Sequence, residues 1–126
     1  VSKIACALCA ILLSAHVHAA NVELAKLNMA DEYATCSVLY MLGAEEARRQ
    51  GNLQLAQRTE VTVDALLRTA VRFSNSEFAT SRAKRSLKRM RDEMKAGFPV
   101  LVSRYYQNCQ QALDDPAARL EYWLAK

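Results

Sequence analysis

In Cys36-Ser37-Val38-Leu39-Tyr40-Met41-Leu42, five apolar residues follow a single hydroxyl without a break, and no Gly or Pro precedes them anywhere in the chain. A helix built on such a stretch is apolar all round, and a helix of that kind is buried on every side. Continued at the helical period, the pattern gathers Met29, Tyr33, Cys36, Tyr40, Gly43, Ala44 and Ala47 on one strip, while Val38, Leu39 and Leu42 point elsewhere. The stretch reads as the central post of a small helical bundle.

Working outward, Asn28 with Asp31 and Glu32 behind it reads as the N-cap of the post, and Ala20 to Leu27 as a loose or frayed lead-in. Gly51 suits a left-handed stop after Gln50, and Asn52 caps a second helix from about Leu53 to Phe73. On that helix Leu53, Ala56, Val63, Leu67 and Val71 form one side, flanked by Leu55, Leu66, Ala70 and Phe73, an arc wide enough to meet two neighbours. Glu60, at the margin of the arc, reads as a rim carboxylate near an arginine. Ser74-Asn75-Ser76-Glu77 matches the capping box and predicts a third helix ending near Ala96 at Gly97. Its apolar strip is thin (Ala79, Ala83, Leu87, Met90, Met94) and the rest is charged, so it is peripheral. Pro99 opens a fourth helix with Leu101, Tyr105, Cys109 and Leu113 at four-residue spacing. Asp115-Pro116 caps and opens a short fifth, whose Leu120 and Trp123 can fold back. The expected fold class is all-α: four main helices and a short C-terminal one, with no internal repeat and no linker.

The composition agrees with this reading. The 126 residues are 52% apolar and 24% charged, with three Gly and two Pro, which favours helix over strand in a chain of single-domain length. Residues 1–20 read as a cleaved secretory signal: Lys3 is a short positive region, Ile4 to Val17 is nearly uninterrupted apolar sequence, and Val17-His18-Ala19 offers small residues for cleavage. Val1 in place of Met fits a bacterial frame opened by a GTG codon. The apolar run is short for a membrane span, so the mature chain, residues 21–126, is expected to be a single helical domain without one, periplasmic or secreted.

Loss of the leader removes both histidines, His16 and His18, together with Cys6 and Cys9. Cys36 and Cys109 remain. On facing inner strips in an oxidising compartment they read as one disulfide, closing a loop of about 70 residues that is worth roughly 4 to 4.5 kcal/mol of chain entropy. The alternative, two free buried thiols, belongs to a cytosolic chain. Tyr33, Tyr40 and Tyr105 share the cysteine strips and are expected to form a packed layer around the bridge with their hydroxyls satisfied.

Little catalytic chemistry is left. Without histidine or a free thiol there is no catalytic or metal site to assign, and no cofactor is implied. Ser81-Arg82-Ala83-Lys84 matches the Ser-x-x-Lys pattern of penicillin-recognising enzymes, but its partner motifs are missing. The adjacent carboxylates Asp31-Glu32, Glu45-Glu46, Asp92-Glu93 and Asp114-Asp115 point apart from a helix or serve as caps.

Charge is the one uneven feature. From Arg68 to Arg104 there are ten basic residues against three acidic ones, in a chain whose net charge is +4. Arg82, Lys84, Arg85, Lys88, Arg89, Arg91 and Lys95 make a basic face on the third helix, a candidate anion-binding surface for anionic lipid or lipopolysaccharide. A solvated face that only keeps the protein soluble explains the same residues. Nucleic acid is disfavoured, since no aromatic residue interleaves the basic run. Tyr106, Tyr122 and Trp123 are candidate partner contacts. The leading expectation is a non-enzymatic exported protein that binds another envelope or extracellular protein, as an inhibitor, immunity factor or envelope chaperone does. The alternative is a binder of anionic surfaces through the basic helix.

Overall fold

The structure, a computed structural model, describes residues 2–126, with side chains from residue 18 onward. The charged start, apolar run and Cys6/Cys9 pair of the expected leader lie outside the described side chains. The helices are α1 (Ser2–Arg49), α2 (Leu53–Phe73), α3 (Ser76–Glu93), α4 (Phe98–Asp114) and α5 (Pro116–Leu124), and a single 3₁₀ turn, Met94–Ala96, ends α3. No helix among the described residues is long and apolar enough to cross a membrane.

α1 is the post, and α2, α3, α4 and α5 all pack against it. Met29, Ala30, Ala34, Cys36, Val38, Leu39 and Leu42 are buried, so burial runs around the whole circumference over the stretch that sequence singled out. Ser37 is tolerated there because its hydroxyl donates to the Ala34 carbonyl at 2.7 Å, within its own helix. α1 does not begin at Asn28: it runs unbroken through it, because nothing between residues 2 and 42 breaks a helix, and a cap residue inside a continuous helix has no free amides to satisfy.

The bridge between Cys36 and Cys109 joins α1 to α4 with Cα atoms 5.5 Å apart. The tyrosines around it are satisfied as expected. Tyr33 donates to the Ala112 carbonyl at 2.6 Å and stacks on Phe73 with ring centroids 6.0 Å apart, Tyr40 donates to Gln110 at 3.3 Å, and Tyr105 donates to Glu93 at 3.0 Å.

Turn chemistry follows the sequence at three junctions and departs from it at one. Gly51 (φ +78°) and Gly97 (φ +104°) take left-handed conformations that stop helices, and Asn52 and Asp115 accept from the amides of Leu55 and Ala118. At the start of α3 the capping box does not form. Asn75 is the cap, accepting from the Phe78 amide at 2.9 Å, while the Ser74 hydroxyl turns back to the Ala70 carbonyl and closes α2 instead.

The buried face of α2 also differs from expectation. Ala56, Leu66 and Ala70 are buried with Phe73 packed beside them, whereas Leu53, Leu55 and Val71 are exposed and Val63 and Leu67 only half-buried. Aliphatic side chains on both sides of the helix made the buried arc look wider than it is: of the two neighbours α2 meets, α1 takes nearly all of the contact and α3 little. α2 lies along α1, touches α3 sparsely, and makes no close backbone approach to α4 or α5 among the described residues.

Candidate functional site

Of the four helices around the post, α2, α3 and α4 border one another along three seams, and their chemistry differs. Between α3 and α4 the seam is closed by polar contacts centred on Glu93, whose carboxylate accepts from Tyr105 and pairs with Arg104 at 3.2 Å, while Arg89 lies over the Tyr105 ring at 5.8 Å. Burial, and then the hydrogen bond to Glu93, push the Tyr105 phenol above its ordinary range.

The two seams beside α2 are open and apolar. Between α2 and α3 a groove of about 200 Å³ has Val38 and Met41 of α1 as its floor, Val63 and Leu67 as one wall, and Ala83 and Leu87 as the other, with Thr80 and Lys84 at its lip. Between α2 and α4 a groove of about 240 Å³ is lined by Leu39, Tyr40, Leu55, Phe98, Val102 and Tyr106. Gly43 shapes this second groove: a Cβ there would meet the Phe98 ring at 3.4 Å, so glycine lets the ring lie close to the post. Leu55, Val102 and Tyr106 are exposed along its edge. A wider hollow of about 430 Å³ lies at the other end of the α2/α4 seam, beside Tyr33, Arg72, Phe73 and Pro116.

The basic face is less uniform than its sequence. Arg91 pairs with Glu45 of α1 at 3.1 Å, Arg82 approaches Asp31 at 3.8 Å and lies over Phe78, and Lys95 pairs with Asp92 at 3.3 Å. Lys84, Arg85, Lys88 and Arg89 are exposed and have no ion pair among the described residues. Part of the row therefore fastens α3 to α1, and part faces outward.

The aromatic candidates separate as well. Tyr106 belongs to the α2/α4 groove, while Tyr122 lies on α5 beside a different depression, under Arg119 at 4.4 Å and Lys126 at 4.7 Å. Trp123 is half-buried. Its indole donates to Glu32 at 2.9 Å, and Arg119 grips both oxygens of the same carboxylate at 2.7 and 2.8 Å. With only 15% and 11% of the Arg119 and Glu32 side chains exposed, this cluster locks α5 onto α1.

Adjacent carboxylates diverge throughout. Asp31 faces α3 while Glu32 faces α5, Glu45 reaches Arg91 while Glu46 holds Arg49 and Gln50, and Asp115 caps α5. The Arg49 and Gln50 hydrogen bonds hold the Glu46 carboxyl below its usual range. Glu60 is a rim carboxylate paired with Arg48. Among the described residues no group of three or more His, Cys, Asp or Glu side chains converges on a point.

Sequence reasoning missed Glu32 as a fastening group, the part-buried Thr35–Ser86 hydroxyl pair at 2.8 Å that joins α1 to α3, and the grooves themselves. A carboxylate beside the buried Tyr33 on an all-buried post was a usable signal for the first. The other two depend on how the helices rotate and cross, which periodicity does not carry. Comparison with protein-family models, with curated proteins and with solved structures returned no match.

Proposed function

We propose that this chain is a small exported, disulfide-stapled helical protein that binds another protein through the apolar surface beside α2, as an inhibitor, immunity factor or envelope chaperone does. The observation that carries this reading is the position of α2, supported mainly by α1 and only sparsely by α3, and bordered on both sides by apolar grooves, the one beside α4 edged by exposed Leu55, Val102 and Tyr106. Contiguous apolar surface of that kind marks interaction sites, and tyrosines at its edge are favoured anchors. A buried disulfide closing most of the chain suits an oxidising compartment and a folded form held rigid before it meets its partner.

The test is retention. Tagged protein recovered from the cell envelope should hold one protein in near-stoichiometric amount through a high-salt wash, and Leu67→Glu in the α2/α3 groove, or Leu55→Glu or Tyr106→Glu in the α2/α4 groove, should release it. If nothing is retained, or all three variants retain it fully, this reading fails.

A second reading, anion binding through α3, has its own support in the exposed Lys84, Arg85, Lys88 and Arg89, which no carboxylate neutralises among the described residues. It predicts binding to lipopolysaccharide or anionic vesicles that falls steeply with salt and is lost when Lys84, Arg85 and Lys88 are changed together to Gln. Unchanged vesicle binding in that variant would exclude it.

A further inference from the structure

We infer that the α2/α3 groove receives one amphipathic helix of a partner protein, with its apolar anchors seated between Leu67 and Leu87 and an acidic edge laid along Lys84 and Lys88. This rests on the protein-binding reading above and adds the form and charge of the partner segment.

Size argues first. At about 200 Å³ the groove is smaller than the 300 to 1,000 Å³ typical of small-molecule pockets, and it is open along its length. It has room for a few side chains and not for a whole ligand. Its walls are two helices and its floor is a third, the arrangement into which an amphipathic helix sets anchors at i, i+3 or i+4, and i+7.

Charge then selects among helices. Lys84 stands on the α3 lip, and Lys88 follows one turn later on the same side, exposed and without an ion pair among the described residues. On α2, Glu60 and Asp64, each three residues before the groove residues Val63 and Leu67, are already held by Arg48 and Arg68. The uncompensated charge at the groove is therefore positive and lies along one edge. The i, i+4 spacing of the two lysines, about 6 Å between Cβ atoms, matches carboxylates spaced i, i+4 on an opposing helix. A bilayer fits less well, because both lips would meet the headgroup plane together and Glu60 and Asp64 would face anionic phosphates.

The experiment is selection from a displayed library of helix-forming peptides about 18 residues long, with apolar anchors fixed on one face and the other positions drawn from Glu, Lys, Gln and Ser, against the oxidised full chain. Enriched sequences should carry Glu beside the anchors, and Lys84→Glu/Lys88→Glu, which alters only exposed positions, should weaken their binding by about tenfold or more. The inference is overturned by four outcomes: enrichment without acidic bias, acidic peptides that bind the double variant equally well, no enrichment, or binding of anionic vesicles that the peptides do not displace. Its failure is separable from that of the broader reading. An envelope protein retained by the wild type and released by Leu55→Glu keeps protein binding and assigns it to the α2/α4 groove.

Discussion

Replacing both bridging cysteines by alanine should remove about 4 to 5 kcal/mol of stability. Cys36 and Cys109 are 73 residues apart in sequence, and closing a loop of that length takes about 15 cal/mol/K from the unfolded chain, or about 4.4 kcal/mol at 25 °C. Both side chains are buried, at 1% and 2% exposure, so the alanines also leave small voids worth a further fraction of a kcal/mol. Spread over residues 21–126, with an unfolding entropy of about 2.1 cal/mol/K per residue, the loss lowers Tm by about 20 °C. Urea unfolding, followed by circular dichroism and by the fluorescence of Trp123, measures it directly. A loss under about 1 kcal/mol would refute the loop-closure reasoning and mean that α4 is held to the post by packing alone.

Three further outcomes are expected. Glu32→Gln takes the anionic partner from Arg119 in a poorly solvated cluster, so stability should fall by about 2 to 4 kcal/mol and Trp123 fluorescence should shift to the red as α5 loosens; an unshifted spectrum would contradict the α5 lock. Thr35→Val alone leaves the buried Ser86 hydroxyl without its partner, at a cost of about 1 to 2 kcal/mol, and adding Ser86→Ala should recover most of that cost, which additive losses in the double variant would exclude. Burial raises the phenol pKa values of Tyr33 and Tyr40 above their ordinary 10.0, so the fold retains these protons longer than the unfolded chain does. Their contribution is complete below pH 10.0 and is lost as pH rises beyond it; alkaline unfolding curves should show a decline that Tyr33→Phe makes shallower.

How far the sequence carried depended on whether a feature is local. The apolar run Val38 to Leu42 identified a helix buried on all sides because no partner is needed to see that it has no wet face. The Cys36–Cys109 pairing followed from elimination once residues 1–20 were set aside as an expected leader, and the stops at Gly51 and Gly97 from backbone chemistry that few other residues can supply. The start of α1 was not legible, since Asn28 can cap a helix or lie within one and the choice depends on what precedes it. Ser74 and Asn75 competed for the same cap on nearly equal local terms, and Ser74 was drawn to the Ala70 carbonyl by the end of α2.

The face of α2 shows the same limit at the level of packing. Val63, Leu67 and Val71 are as apolar as Leu66 and Ala70, and only the rotation of α2 against α1 separates a buried row from one that borders a groove. Likewise the basic run on α3 reads as one surface in sequence. In the fold, Arg91 and Arg82 turn to carboxylates of the post, and Lys84, Arg85, Lys88 and Arg89 do not.

The most direct measurement is site-specific photo-crosslinking in the cells that make the protein, with the photoreactive residue placed in turn at Leu55, Leu67 and Val102, and at Arg104 on the closed α3/α4 seam. A single protein adduct from one or more of the first three positions and none from Arg104 is the predicted result. Adducts of equal yield at all four positions, or none at the three beside α2, would contradict recognition through that surface.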